Sequence, residues 1–127
     1  MNRTHSQALA HTAKTALDSL DPAPVVTLEF PTASTAVIAG TPALLIDAPE
    51  IEWPNWAVAM ARYTVWAIAP SRDLSTAWDT LDSMIDALVA PLNVLSASPA
   101  EFRPHQGPPV PAYRLTLESI EYGRTDS

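Results

Sequence analysis

The stretch Met60–Pro91, MARYTVWAIAPSRDLSTAWDTLDSMIDALVAP, changes its hydrophobic period halfway along. From Met60 to Ala69 the residues fall on two alternating faces, Arg62, Thr64, Trp66 and Ile68 on one, Ala61, Tyr63, Val65 and Ala67 on the other. Side chains of a strand point alternately to its two sides, and both sides here are mostly apolar. The spacing therefore predicts one strand inside a sheet, ended by Pro70. From Leu74 onward the period is helical: Leu74, Ala77, Trp78, Leu81, Ile85, Leu88 and Val89 recur three and four apart in one stripe. Asp73 or Ser75 can cap the first turn, because a side-chain oxygen there accepts a hydrogen bond from an unpaired backbone N–H. Pro91 closes the far end. A strand, a polar turn and an amphipathic helix thus account for a segment whose aspartates and hydroxyls look at first like a site. This reading buries Trp78, Leu81, Ile85 and Leu88 and leaves Asp79, Asp82 and Asp86 wet. Replacing a buried Trp78 by alanine would cost about 3–5 kcal/mol.

Working outward, residues 4–20 place Leu9, Ala13, Ala16, Leu17 and Leu20 at helical spacing. Residues 24–30 and 35–40 read as extended pieces broken by Pro31 and Gly40, and Ala43–Asp47 as a short buried strand. The connection Pro49-Glu50-Ile51-Glu52-Trp53-Pro54-Asn55-Trp56 reads as an extended hairpin arm. After the helix, residues 93–97 and 101–103 are expected to form a strand kinked at Pro99. A proline-rich loop at 104–111 leads into a final strand over residues 112–118, with clean period two. At Ser119 the apolar parity shifts, as at a bulge or a strand end, and residues 123–127 are expected to be a flexible tail.

The 127 residues carry seven Lys+Arg against fourteen Asp+Glu, a formal net charge of −7. One lysine and six scattered arginines form no basic cluster, which disfavours a protein that grips nucleic acid by neutralising phosphates. With no cysteine there is no disulfide framework, thiolate nucleophile or cysteine-based zinc site. Thirteen prolines are about twice the average share and are read as punctuation between apolar runs. No apolar run approaches the ~18 residues of a membrane span, and the N-terminus has no apolar block typical of a secretory signal. One domain spanning residues 1–127 is expected, in a soluble, intracellular setting.

Asp79, Asp82 and Asp86 share a helix face, but hard-metal sites draw ligands from several elements, so the face reads as solvated and no metal or cofactor is expected. His5, His11 and His105 match no zinc spacing and read as solvated surface residues. The chain lacks G-x-S-x-G, G-x-G-x-x-G and a phosphate-cradling glycine loop, so no enzyme activity is expected. Glu50 and Glu52 alternate with Ile51 and Trp53, as on an exposed strand edge. Trp53 and Trp56 fit neither a strand nor a helix period. They either cap an open end of the core or anchor a subunit interface, where tryptophan is enriched.

The progression from TPALLIDAPEIEW through ARYTVWAIAPS to DLSTAWDTLDSMIDAL, with its order of elements over roughly residues 5–122, resembles the tail-terminator (minor tail) proteins of long-tailed bacteriophages. The resemblance implies an α/β (α+β) domain, with helices packed on a mainly antiparallel or mixed sheet. It implies a homo-oligomeric, six-fold ring that caps the tail tube, stops its polymerisation and meets the head–tail connector. DNA would pass through the lumen without specific binding, and the protein would reside in the virion after assembly in the host cytoplasm. The family brings no catalytic residues. Glu50, Glu52, Trp53 and Trp56 of the arm, and Asp73 at the helix start, are the candidate subunit or partner contacts. Two alternatives stay open: a head-completion or connector ring protein of the same neck, and a small ligand-binding domain or enzyme whose site would use Arg62, Tyr63 and Arg114.

Overall fold

The computed structural model describes residues 3–71 and 73–124. Helix α1 (Arg3–Leu17) is followed by β1 (Val25–Thr27), α2 (Phe30–Ile38), β2 (Ala43–Ile46), β3 (Glu50–Asn55) and β4 (Val58–Arg62). Then come β5 (Thr64–Ile68), α3 (Leu74–Leu88), β6 (Val94–Phe102), β7 (Val110–Leu117) and β8 (Ile120–Arg124). Five strands form a sheet in the order β1-β2-β5-β7-β6, parallel at β1–β2 and antiparallel elsewhere. The remaining three form an antiparallel sheet, β3-β4-β8. The result is one compact α+β domain with mixed and antiparallel sheets, as the sequence leads one to expect. Among the described residues no helix is long and apolar enough to cross a membrane.

β5 lies at the centre of the larger sheet and is covered on both sides. Val65 and Ala67, with Leu44, Ile46, Leu115 and Leu117, face α1 and α3, which contribute Ala13, Leu17, Ala77, Leu81, Met84 and Leu88. Ile68, with Ala43, Leu45, Phe102, Val110 and Ala112, faces α2 through Ala33, Ala36 and Val37. Strand alternation thus divides the apolar residues between two cores, one on each face.

The expected single strand over 60–69 is two strands belonging to different sheets. The chain changes sheet at Tyr63, whose hydroxyl is buried and hydrogen-bonded to Ser6 Oγ at 2.8 Å. Its neighbours do the same: β2 hands over to β3 through residues 47–49, and β7 to β8 through 118–119. The last bonds of the larger sheet run from Asp47 N to Thr64 O and from Leu117 N to Tyr63 O, both 3.1 Å. Beyond them, Glu50 pairs with Arg62 and Ala61 with Ile120. The three central strands therefore continue, in the same order, past the helices as a three-stranded arm.

The segment expected to be extended over 35–40 is instead the end of helix α2. Its β-branched Thr35, Val37 and Ile38 suit a strand locally, but Ala33, Ala36 and Val37 at helical spacing bury against the sheet, and packing overrides propensity. Pro31 sits in the first turn, where its missing N–H costs nothing. Gly40 ends the helix at φ +89, with Gly40 N bonded to Val37 O and Thr41 N to Ala36 O, a Schellman closure that needs the left-handed backbone glycine tolerates.

Other expectations are corrected in detail. Prolines are not confined to connections: Pro31, Pro54, Pro99 and Pro111 lie inside elements, and β6 runs through Pro99 as one strand. Gly123 and Arg124 belong to β8 rather than to a tail, and residues 125–127 lie outside the described residues. Trp78 is not core. The inward row of α3 is Ala77, Leu81, Met84 and Leu88, while Trp78 points to the flank at 44% exposure and meets Tyr113 edge-on at 5.5 Å. Ile85 is half-buried, and Asp79, Asp82 and Asp86 are exposed as expected.

Leu81→Ala should therefore cost about 2–5 kcal/mol in urea unfolding, whereas Trp78→Ala should cost about 1–2 kcal/mol, because much of its ring is already wet. Equal losses would contradict the flank position. Asp82→Asn should change stability by less than about 0.5 kcal/mol, and millimolar Ca²⁺ or Mg²⁺ should leave both melting temperatures unchanged.

Candidate functional site

The arm is a candidate site because its sequence is poor at burying itself. Ala59 and Ala61 are the buried side chains of β4, and Ile51 of β3 is half-buried, so the arm closes only its base on the domain. Further out, the pairing Glu52–Met60 jumps to Asn55–Val58, so that Trp53 and Pro54 together face Ala59 across a bulge. Asn55 Oδ1 accepts the Ala57 N–H at 2.9 Å, holding the tight turn that carries Trp56. Trp53 is 61% and Trp56 80% exposed. They do not cap the core. They form an aromatic projection flanked by the exposed carboxylates Glu50 and Glu52.

Asp73 belongs elsewhere. It occupies the N-cap of α3 with extended backbone, as the sequence implies, but its carboxylate accepts the Thr76 hydroxyl at 2.9 Å rather than a backbone N–H. Its own N–H donates to Ser71 Oγ at 3.1 Å. The residue organises its own turn, and the structure does not join it to the arm through these bonds.

The alternative site built from Arg62, Tyr63 and Arg114 is not brought together. Tyr63 is buried on the α1 and α3 side of the sheet. Arg114 lies on the other side, its guanidinium carbon 5.8 Å from the Trp66 ring centroid, and Arg62 is exposed on the arm. Alternation along adjacent strands separates these groups.

On the α2 side, the nine-residue helix is too short to cover the sheet. A groove of about 290 Å³ remains, lined by Phe30, Leu45, Asp47, Trp66, Glu101, Phe102 and Arg103. Phe30 and Phe102 pack at 5.3 Å, and the Trp66 indole N–H donates to Asp47 Oδ2 at 2.8 Å. This groove joins residues up to 73 positions apart, and nothing local in the sequence announces it.

His105 is exposed, as its surface reading expects, but it is also tied to a buried hydroxyl. Ser34, fully buried in α2, accepts the His105 backbone N–H at 2.7 Å and lies 2.6 Å from His105 Nδ1. The hydroxyl accepts from the amide and shares a second hydrogen bond with Nδ1, clamping the proline-rich loop onto α2. The pair ties the loop to the helix across 71 positions of sequence. Among the described residues no group of three or more His, Asp or Glu is placed to hold a metal ion.

Ser34→Ala should cost about 1 kcal/mol and accelerate hydrogen exchange at the His105 amide, with exchange in the arm unchanged. Unaltered His105 exchange would show that the clamp does not hold the loop.

Compared with models of known protein families and with curated proteins, the chain matches none.

Proposed function

We propose that this chain is a structural virion protein of the tail-terminator type, a ring former that caps a phage tail tube and meets the head–tail connector. The reading starts from the resemblance in element order. The observation that supports it best is the arm: three strands extended beyond the core carry two largely exposed tryptophans at their tip. An isolated domain gains nothing by holding such residues in water. A subunit gains buried area from them on assembly, where tryptophan anchors dominate contact energies. In this reading the partners are other copies of the chain, the tail-tube protein and the connector, and the protein resides in the virion after assembly in the host cytoplasm.

The charge suits a channel for DNA. Lys14 is engaged with Asp18 at 3.1 Å, and Arg62 on the arm stands apart from Arg103 and Arg114, which lie beside Trp66. Phosphate retention needs several cations converging, and a ring multiplies the net −7 of each chain.

Native mass spectrometry and sedimentation should find a closed hexamer, either alone at micromolar concentration or once tail-tube protein is added. Monomers under both conditions would overturn the proposal. The assembled ring should also fail to retain duplex DNA at physiological salt; tight, salt-sensitive retention would favour a DNA-gripping connector instead.

A further inference from the structure

A hollow on the flank of the domain joins aromatic rings to carboxylates. It measures about 230 Å³ and lies between α3 and β7, walled by Trp78, Asp79, Asp82, Ile85 and Tyr113. We propose that this hollow binds a small organic cation of the methylated-ammonium class, a site that stands apart from the ring reading above. Helical spacing builds it. Residues 78, 82 and 85 stand one above another on α3, Asp79 stands three positions from Asp82, and Tyr113 closes the hollow from the sheet. The Trp78 and Tyr113 rings meet at 5.5 Å with 61° between their planes, so they form two walls of a corner rather than a flat stack. Trp78 is 44% exposed, which leaves ring surface open to a ligand.

Two separate features of the lining call for the same charge. The faces of aromatic rings are negative and attract a cation held within ~6 Å of the ring centroid. Asp79 and Asp82, three positions apart on one helix face, repel each other, and a cation between them removes that repulsion. Among the described residues neither carboxylate has an ion-pair or hydrogen-bond partner, and none of the residues lining the hollow is basic. The lining also selects the kind of cation. Ca²⁺ and Mg²⁺ need roughly six or more converging oxygens, which two carboxylates on one helix beside apolar walls do not supply. A methylated ammonium spreads its charge over apolar methyl groups, and these can pack on Trp78, Tyr113 and Ile85 while the carboxylates balance the charge. The volume falls below the ~300–1,000 Å³ of drug-sized sites, which restricts the occupant to a compact head group.

Tetramethylammonium is the probe, added to the full chain at constant ionic strength and read by NMR at backbone amides and indole N–H groups. It should give saturable shifts at the Trp78 indole and at the Asp79, Asp82 and Ile85 amides, with half-saturation at millimolar concentration. Neopentyl alcohol, a neutral molecule of similar shape, should bind at least tenfold more weakly, and Mg²⁺ should leave the Trp78 indole unmoved. Trp78→Leu, and separately Asp79→Asn combined with Asp82→Asn, should each weaken tetramethylammonium binding at least tenfold, read at the Ile85 amide. These side chains are exposed, and urea unfolding checks that each variant folds. Equal binding of the neutral alcohol would reduce the hollow to an apolar patch and overturn the proposal. Binding that survives Trp78→Leu, or that Mg²⁺ matches, would overturn it in favour of a diffuse effect of the aspartates. Shifts that never saturate, or that spread evenly over the acidic surface, would also overturn it. Choline and a blocked trimethyllysine, competed against tetramethylammonium, distinguish a free small molecule from a side chain of another protein; displacement by either supports the site, and the tighter of the two names the source.

Discussion

A strand buried on both faces needs two covers, and that demand on β5 organises the molecule. Val65 and Ala67 require one apolar layer, Trp66 and Ile68 another, and no single helix can supply both. α1 and α3, fifteen residues each, cover their side fully. α2 has nine residues and does not. The aromatic groove is the remainder of that mismatch: Trp66 stays half-buried there, beside Phe30, where α2 only begins.

The second organising feature is the line at which three adjacent strands leave the helix-covered sheet together. At Tyr63 the side chain is still core, hydrogen-bonded to Ser6 of α1, while Arg62 is already exposed. Ala61, the next inward residue, still joins that core, so the base of the arm is seated on the domain and only its outer part is wet. Because β2, β5 and β7 all continue across this line, the arm is braced by backbone ladders on both sides of β4. A projection built this way holds its tip in a fixed direction, which a lone loop bearing two tryptophans would not.

Legibility in the sequence followed how local the cause was. The long helix, the buried β2 and the arm hairpin were readable because period, prolines and turn residues lie within a few positions of one another. Trp78 was misassigned because a stripe that includes residues 74, 77, 78 and 81 spans more of the helix circumference than the sheet can cover; which flank stays wet depends on where β6 ends the sheet. Helix α2 was missed because its β-branched residues mimic a strand, although its alanines carried the helical spacing. The split at Tyr63, the Ser34–His105 clamp and the groove depend on residues tens of positions apart, so no window of sequence contains them. Glu50 and Glu52 were readable as exposed, whereas the sequence left Trp53 and Trp56 open between capping the core and anchoring an interface. Asp73 was readable as a cap, and its link to the arm rested on the resemblance alone.

The prolines inside strands have a consequence beyond local geometry. Pro54 and Pro99 stand in β3 and β6, one border strand of each sheet. A border strand with an unbroken row of amides is a template on which other chains can stack without limit, and proline, lacking an N–H, interrupts that row. At these two of the four borders, edge-to-edge zipping of chains into fibrils is thereby hindered. Association at those borders is left to side chains, which can specify a partner and a stopping point.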